Sequence, residues 1–287
     1  TRLDSQSDQL SCYYPAAGRY KFFDDSLVEF GETDGGGVFW RCKSSSSVAG
    51  DNGVATVEYR LRDGDGFLTT SIRIEGEDLE VIKAFDGVRA DRTFKFSALP
   101  GTPIAFCEDE YFRQTYGFTA AGGDEVPVWN KDRMRRVQYG QAAMERETGS
   151  VTWTTRIYPA TSSLDLWGLT EGAAPQTFSV RGAVGDQPRI KLSVIGGDTG
   201  PLKQPAVWRS AAHGKSIVHL PPGRYQIKAE AIGHQPTEQE IVVGDEAADH
   251  PFELGPATRV AATITDEATQ PIPCKVTFFG AETSSGD

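Results

Sequence analysis

The chain holds 287 residues, with 31 glycines and 16 prolines; 38% are hydrophobic, 10% aromatic and 24% charged, and the mean hydropathy is -0.39. Glycine above the ~7% average beside an ordinary charged fraction excludes collagen, a coiled coil, a disulfide mini-protein and wholesale disorder. Forty acidic side chains against 29 basic ones leave a net charge of -11, which repels phosphate backbones and argues against nucleic acid as a partner. The basic cluster Lys131, Arg133, Arg135 and Arg136 reads as one solvated face, not as a nucleic-acid patch. No stretch approaches the ~20 apolar residues of a membrane span.

Residues 1–10 open with a polar run from Thr1 to Asp8 and read as a flexible lead-in, or as the mature end left by a removed signal. Period-2 alternation then dominates. From Ala55 to Leu61 the odd positions are apolar and the even ones polar, which places the two sets on opposite faces of a half-buried strand. Asp63-Gly64-Asp65-Gly66 supplies residues tolerant of positive φ, and Phe67–Ile74 returns, so the spacing predicts a hairpin. Arg92–Phe96 alternates in the same way. A second hairpin is expected around Glu147-Thr148-Gly149-Ser150, with Val151–Tyr158 as its outgoing strand. The segment 131–147 fits neither a helix nor a strand. Ser44–Ser47 with Gly50–Gly53 has nothing to bury and reads as a loop.

Between residues 159 and 176, polar and Pro/Gly-containing stretches flank a short apolar knot at Leu164–Leu169; this reads as a linker. At roughly 100–200 residues per domain the length suits two domains and the start of a third. The front domain spans 11–165 and is a β-sandwich. The rear domain spans 176–256, with the short strands and Gly/Pro turns of a small antiparallel sandwich. Within it, Pro221-Pro222-Gly223 forms a tight corner and Tyr225, Ile227, Ala229 and Ala231 alternate inward. Gly233 ends that strand, and Glu238–Val243 returns. Residues 257–287 hold a strand entering a turn at Asp266 and a second one from Pro271, the opening of a further module that the chain does not complete.

Four classes of candidate chemistry come from side chains alone. Four cysteines, at 12, 42, 107 and 274, show no C-x-x-C pair; two disulfides in three connectivities are allowed, and Cys12 with Cys42 is the nearest pair. Lone cysteines also serve as small buried apolar groups. His213, His219, His234 and His250 form no metal-binding spacing and read as surface or structural histidines. Glu108-Asp109-Glu110 is the densest carboxylate cluster; on one strand Glu108 and Glu110 share a face and Asp109 does not. Glycosidases need two facing carboxylates, yet a solvated acidic loop is the simpler reading. The aromatics Trp40, Tyr111, Trp129 and Trp153 could stack on sugar rings, with Arg89 and Arg92 orienting hydroxyls, although large aromatics also fill sandwich cores. The Gly35-Gly36-Gly37 run lacks a following Gly-Lys-Ser/Thr and is no phosphate cradle.

The Leu220–Pro236 segment resembles the terminal hairpin of carboxypeptidase-regulatory, prealbumin-like (Ig-like) β-sandwich modules, which carry a "PPG-x-Y-x-V" strand followed by "x-E-x-x-V-x-V". Such modules act as spacers and as adhesive or stabilising domains. Val260–Asp266 and Pro271–Phe278 resemble the "V-x-x-x-V-x-D … P-I-P-x-K-V-x-F" opening of another such unit. Ile272–Gly280 with the residues after it is also similar to the region upstream of the catalytic barrel in exported bacterial PHP-type metallohydrolases of the CehA/McbA-like group. The front region, with its "WRC … VEYRLRDGDGFL … DGVRADRTFKF" layout, looks like a galactose-mutarotase-type supersandwich. The resemblance implies an exported, periplasmic or extracellular protein. It further implies a downstream metal-dependent hydrolase domain on the same polypeptide. No PHP histidine motif is present, so no catalytic residue and no cofactor carries over.

The sequence thus predicts an all-β chain made of non-catalytic accessory domains, binding carbohydrate or positioning a hydrolase. Two alternatives stand beside it: a front domain that acts on sugars through Glu108 and Glu110, and a purely structural cell-surface spacer.

Overall fold

The computed structural model describes residues 11–14, 18–21, 26–45, 54–75, 83–89, 94–110, 112–119, 128–130, 136–142, 150–182, 190–198, 200, 202, 206–209, 214–256 and 263–274. The front region is built from β1 (Ser11–Tyr14), β2 (Gly18–Lys21), β3 (Ser26–Glu32), β4 (Val38–Ser45), β5 (Val54–Leu61), β6 (Leu68–Glu75), β7 (Lys83–Arg89), β8 (Lys95–Leu99), β9 (Ile104–Asp109), β10 (Gln114–Thr119), β11 (Val128–Asn130), β12 (Arg136–Ala142) and β13 (Ser150–Ala160). A helix, α1 (Ser163–Thr170), comes next. The rear region holds β14 (Pro175–Arg181), β15 (Lys191–Gly197), β16 (Ala206–Arg209), β17 (Lys215–His219), β18 (Gly223–Glu230), β19 (Thr237–Val243) and β20 (Ala248–Glu253). The fold is all-β.

In the front region the strands form an eight-stranded sheet, β3-β4-β5-β6-β13-β10-β9-β8, and a five-stranded sheet, β11-β12-β7-β1-β2. The β5–β6 hairpin forms as its alternation predicts, with Gly64 at φ 84° in the turn. Ala55, Val57, Ile72 and Ile74 are buried on one face, while Glu58, Arg60 and Arg73 lie on the other. Towards the β3 edge that inner face opens, and Phe30 is exposed, as is Leu61 at the end of β5. The strand expected at 92–96 begins later, as β8, with Phe94 buried just before it.

Of the hairpin expected around residues 147–150 only the outgoing strand, β13, is described. β13 pairs with β6 and β10, whereas β12 pairs with β11 and β7, so the two strands belong to different sheets. Residues 143–149 lie outside the described residues. The segment that fits no simple period is β12, and its register against β7 shifts between Gln138 and Gly140. A bulge there accounts for the broken alternation.

The rear region is a seven-stranded sandwich, with β17-β14-β20 facing β16-β15-β18-β19. β14 and β20 pair in parallel; the other pairs are antiparallel. The β18–β19 hairpin is as read from the sequence: Tyr225, Ile227 and Ala229 are fully buried, opposite Ile241 and its neighbours. The Tyr225 hydroxyl donates to the Pro221 carbonyl at 2.7 Å, tying the strand to the corner before it. Phe178 of β14 meets Trp208 of β16 edge-on at 5.2 Å and lies 6.1 Å from Phe252 of β20, so the two layers close on aromatic rings. Beyond β20, Asp266 Oδ1 accepts from Ala268 N–H and Gln270 N–H, and Thr265 bridges Pro271. The turn expected at Asp266 therefore exists, while the strands expected on either side lie largely outside the described residues.

The expected linker is the main departure. Leu164–Leu169 is not a tether but the body of α1, and Leu164, Asp165, Leu166, Trp167 and Gly168 are all buried. One apolar cluster runs from Leu99, Ile104, Phe106 and Tyr158 of the front sheet, through Leu164, Leu166 and Trp167, into Phe178, Val218 and Tyr225 of the rear sandwich. Full burial of each such leucine contributes ~1.5–3 kcal/mol, which is why these residues fold inward instead of spanning solvent.

Candidate functional site

The chemistry-bearing side chains of the middle of the chain converge where α1 joins the two regions. Ser162 caps the helix, its hydroxyl accepting from Asp165 N–H at 3.1 Å. At the other end Ala173 N–H donates to the Gly168 carbonyl at 2.9 Å and Gly172 N–H to Leu169 at 3.2 Å. With Gly172 at φ 71°, this is a Schellman closure, which favours glycine at the left-handed position. A helix of only eight residues is marginal by itself; its caps and its burial define it.

Asp165 is the polar hub of this junction. Its Oδ2 accepts from Thr161 N–H at 2.8 Å and from the Thr161 hydroxyl at 2.9 Å. Its Oδ1 takes His219 N–H and the His219 ring Nδ1, both at 2.8 Å. Burial alone would push this carboxyl up, but the donors from His219 and Thr161 outweigh it and hold the group below the usual carboxylate range. Asp165 therefore ties the end of β13, α1 and β17 together as a buried carboxylate with its oxygens satisfied.

Glu108 approaches the same helix from β9. Its Oε1 accepts from Ser163 N–H at 2.7 Å, the first amide of α1. Burial pushes its carboxyl above the ordinary value; the Ser163 amide and hydroxyl act the other way, and nearby Glu110 adds to the rise. As the alternation predicts, Glu108 and Glu110 face one groove, of about 260 Å³, with Ser97, Ser163 and the apolar Leu202 and Val207. Asp109 points away, is buried, and accepts from Phe112 N–H at 3.1 Å. The segment is the end of a strand held against a helix, not the solvated loop expected. Lys95 reaches Glu110 at 3.4 Å across the exposed rim. Chemically, Glu108 is committed to holding the helix, with one carboxylate oxygen on its amide.

The residues predicted to stack on sugars are dispersed. Trp40 lies on β4, half-buried, stacked on Tyr59 at 5.0 Å and 16°. Trp153 lies on β13, with β5 and β6 between it and Trp40. Arg89 ends β7 and Trp129 sits in β11, both in the five-stranded sheet and separated by β12. The side chains of Arg89, Trp129 and Trp153 lie outside the described residues, as do Arg92 and Tyr111 entirely. The other two tryptophans, Trp167 and Trp208, are core residues. Cys12 is on β1 and Cys42 on β4, in different sheets; the Cys12 side chain also lies outside the described residues. The buried Cys107 thiol is pushed up to about 12 by burial, which makes it a poor nucleophile.

Three histidines are described, and each has a partner. His219 pairs with Asp165, and His234 Nδ1 lies 3.2 Å from the Gly255 carbonyl in its turn. His250 Nε2 lies 3.0 Å from Gln176 Oε1, joining the parallel strands β20 and β14. Burial pushes the His250 ring below its ordinary value. Among the described residues no group of three or more His, Cys, Asp and Glu side chains converges as a metal set.

The junction itself escaped the sequence reading, although its signals are present. Ser162-x-x-Asp165 is a helix-start pattern and Gly172 a stop. Nothing in either marks Asp165 as the acceptor for His219, which is 54 residues away.

No protein-family model matches the chain, and no curated protein matches it. Among solved structures it is similar to one titled "Trapped Toxin", at 7% identity and a TM-score of 0.13, over 76% of this chain and 56% of that chain. The chain thus spans little more than half of that structure's length, and a likeness this weak carries no argument about fold or function.

Proposed function

We propose that the chain is a non-catalytic accessory region of an exported bacterial protein, and that it holds a downstream metal-dependent hydrolase domain in fixed orientation. The observation that carries this reading is α1: the eight-stranded front sheet and the rear sandwich share one apolar core through it, Asp165 bonds it to β17 and Glu108 holds its first amide. Two domains on a flexible tether transmit no orientation to a third domain attached to them. Two domains fused through a buried helix do. The resemblance of the Leu220–Pro236 hairpin to spacer modules, and of Ile272–Gly280 with the residues after it to the segment upstream of PHP-type catalytic barrels, suggests the partner. The commitment of Glu108 to the Ser163 amide argues against the alternative in which it works on a sugar with Glu110.

The test is calorimetric unfolding of the whole chain. A fused pair unfolds in one transition with equal calorimetric and van't Hoff enthalpies. Two separable transitions for front and rear overturn the positioning role. The coding sequence beyond Asp287 tests the partner, since a histidine-rich metallohydrolase is expected there and any other class of domain removes it.

A further inference from the structure

Phe39 and Arg41 of β4 alternate with Trp40, so this corner of the eight-stranded sheet has two unlike sides. Trp40 and Tyr59 stack on one. On the other, the register sets Phe39 opposite Gly31 and Arg60, and Arg41 opposite Glu29 and Glu58. Phe39, Arg41, Glu58, Arg60 and Arg62, with the rim residues Glu32 and Asp34, line an open cleft of about 370 Å³, within the ~300–1,000 Å³ usual for small-molecule sites.

The cleft is held in shape before any ligand arrives. Glu58 accepts from Arg41 and from Arg60, each at 2.6 Å, and Arg41 also bonds Glu29. Burial pushes the Glu58 carboxyl up, but the two guanidinium groups outweigh it and hold the group below the usual range. Phe39 is fixed close over β3, where a Cβ at Gly31 would come within 3.1 Å of its ring, and the Arg41 guanidinium lies 5.7 Å from the ring centre. The rim turn closes through Thr33 N–H to the Gly37 carbonyl at 3.1 Å.

Some polar capacity stays unspent. Arg60 Nε is buried and meets no acceptor. Among the described residues Arg62, Glu32 and Asp34 enter no ion pair. Arg62, Glu32 and Asp34 thus bring donors and acceptors free of ion pairing to the cleft wall, where three guanidinium groups stand against three carboxylates. A polyanion would face Glu32, Asp34 and Glu58, and a cation would face the three arginines. A neutral ligand whose groups both donate and accept suits both sets, and vicinal hydroxyls do this. The Phe39 ring offers an apolar floor for the C–H face of a sugar ring.

We propose that this cleft binds a neutral saccharide unit of a glycan. The site is separate from the positioning role and stands or falls by itself. The full chain is titrated by isothermal calorimetry with maltohexaose, cellohexaose, xylohexaose and mannohexaose, then with inorganic phosphate and heparin oligosaccharide. Saturable binding of at least one neutral oligosaccharide is expected, weakened about tenfold or more by Arg62→Ala, the loss of charged hydrogen bonds. The exposed Arg62 lies beyond the end of β5, and its variant is expected to keep the wild-type melting temperature. Phe39→Ala is expected to abolish binding, with circular dichroism confirming its fold. No binding of any neutral sugar at millimolar concentration overturns the proposal. Equal affinity in Arg62→Ala, or a preference for phosphate or heparin, does so too.

Discussion

Glu108 and Glu58 are both partly buried carboxylates on the same sheet, and their surroundings send them in opposite directions. Glu58 has two guanidinium groups and is held down; Glu108 has the Ser163 amide and hydroxyl, with burial and Glu110 against it, and is pushed up. A carboxyl raised above the unfolded value of ~4.3 stabilises the fold fully only below that value, and the contribution fades as pH rises through the folded one. Ionising Glu108 therefore costs the fold stability relative to its protonated form. Glu108→Gln keeps an acceptor for Ser163 N–H and removes the charge. Its guanidinium unfolding midpoint at pH 7 is expected to equal or exceed that of the wild type, with the difference closing near pH 4. A lower midpoint at pH 7 with an unchanged slope refutes this account of Glu108. The face that Glu108 shares with Glu110 was legible from alternation alone. Its environment was not, because the amide it binds arrives from 55 residues further along the chain.

At the level of elements, the hairpins were legible and the helix was not, for one physical reason. A hairpin's turn residues and alternating strands sit within a few residues of each other, so β5–β6 and β18–β19 are written locally. α1 is buried through its whole central run, so it has no amphipathic period to read, and Leu164–Leu169 reads as an apolar knot. Its approach is recorded instead in distant glycines. A Cβ at Gly117 would meet Leu166 at 2.5 Å, and one at Gly200 would meet Trp167 at 2.3 Å. Gly168 is the tightest case, since an added Cβ would lie 2.0 Å from the His219 carbonyl oxygen, a backbone atom that cannot rotate away. Helix propensity favours Gly→Ala by about 1 kcal/mol, but overpacking against backbone costs ~1–3 kcal/mol or more. Gly168→Ala is expected to lower the melting temperature by several degrees. Gly244→Ala, where nothing lies within 4 Å, is expected to leave it unchanged. Equal melting temperatures for the two variants would show that α1 does not press on β17.

Across the whole molecule, alternation and turn spacing announced an all-β chain, and the structure adds that the eight-stranded front sheet and the rear sandwich share one apolar core. The fusion rests on contacts of long sequence separation, which no local period encodes, and on one buried carboxylate among them. Asp165 is held below the unfolded value of ~3.9, so its stabilisation is present in full above that value and is lost as pH falls through the lower folded one. His250 adds a second window. Its ring is pushed down by burial, so its contribution is present above ~6.5 and fades as pH drops below that. Acid should therefore loosen the β14–β20 pair first and the junction last. Asp165→Asn removes the charge that His219 and Thr161 converge on, and its loss is expected to cost about 3 kcal/mol at pH 7. The cost should shrink as pH falls below ~3.9, where the unfolded chain's carboxyl takes up a proton first and the native one, held lower, follows. Because Asp165 links β13, α1 and β17, the variant's single calorimetric transition is expected to broaden or split into a front and a rear event at pH 7. Wild-type stability in Asp165→Asn, or a deficit that stays constant from pH 7 to pH 3, would mean that the apolar core alone fuses the two halves.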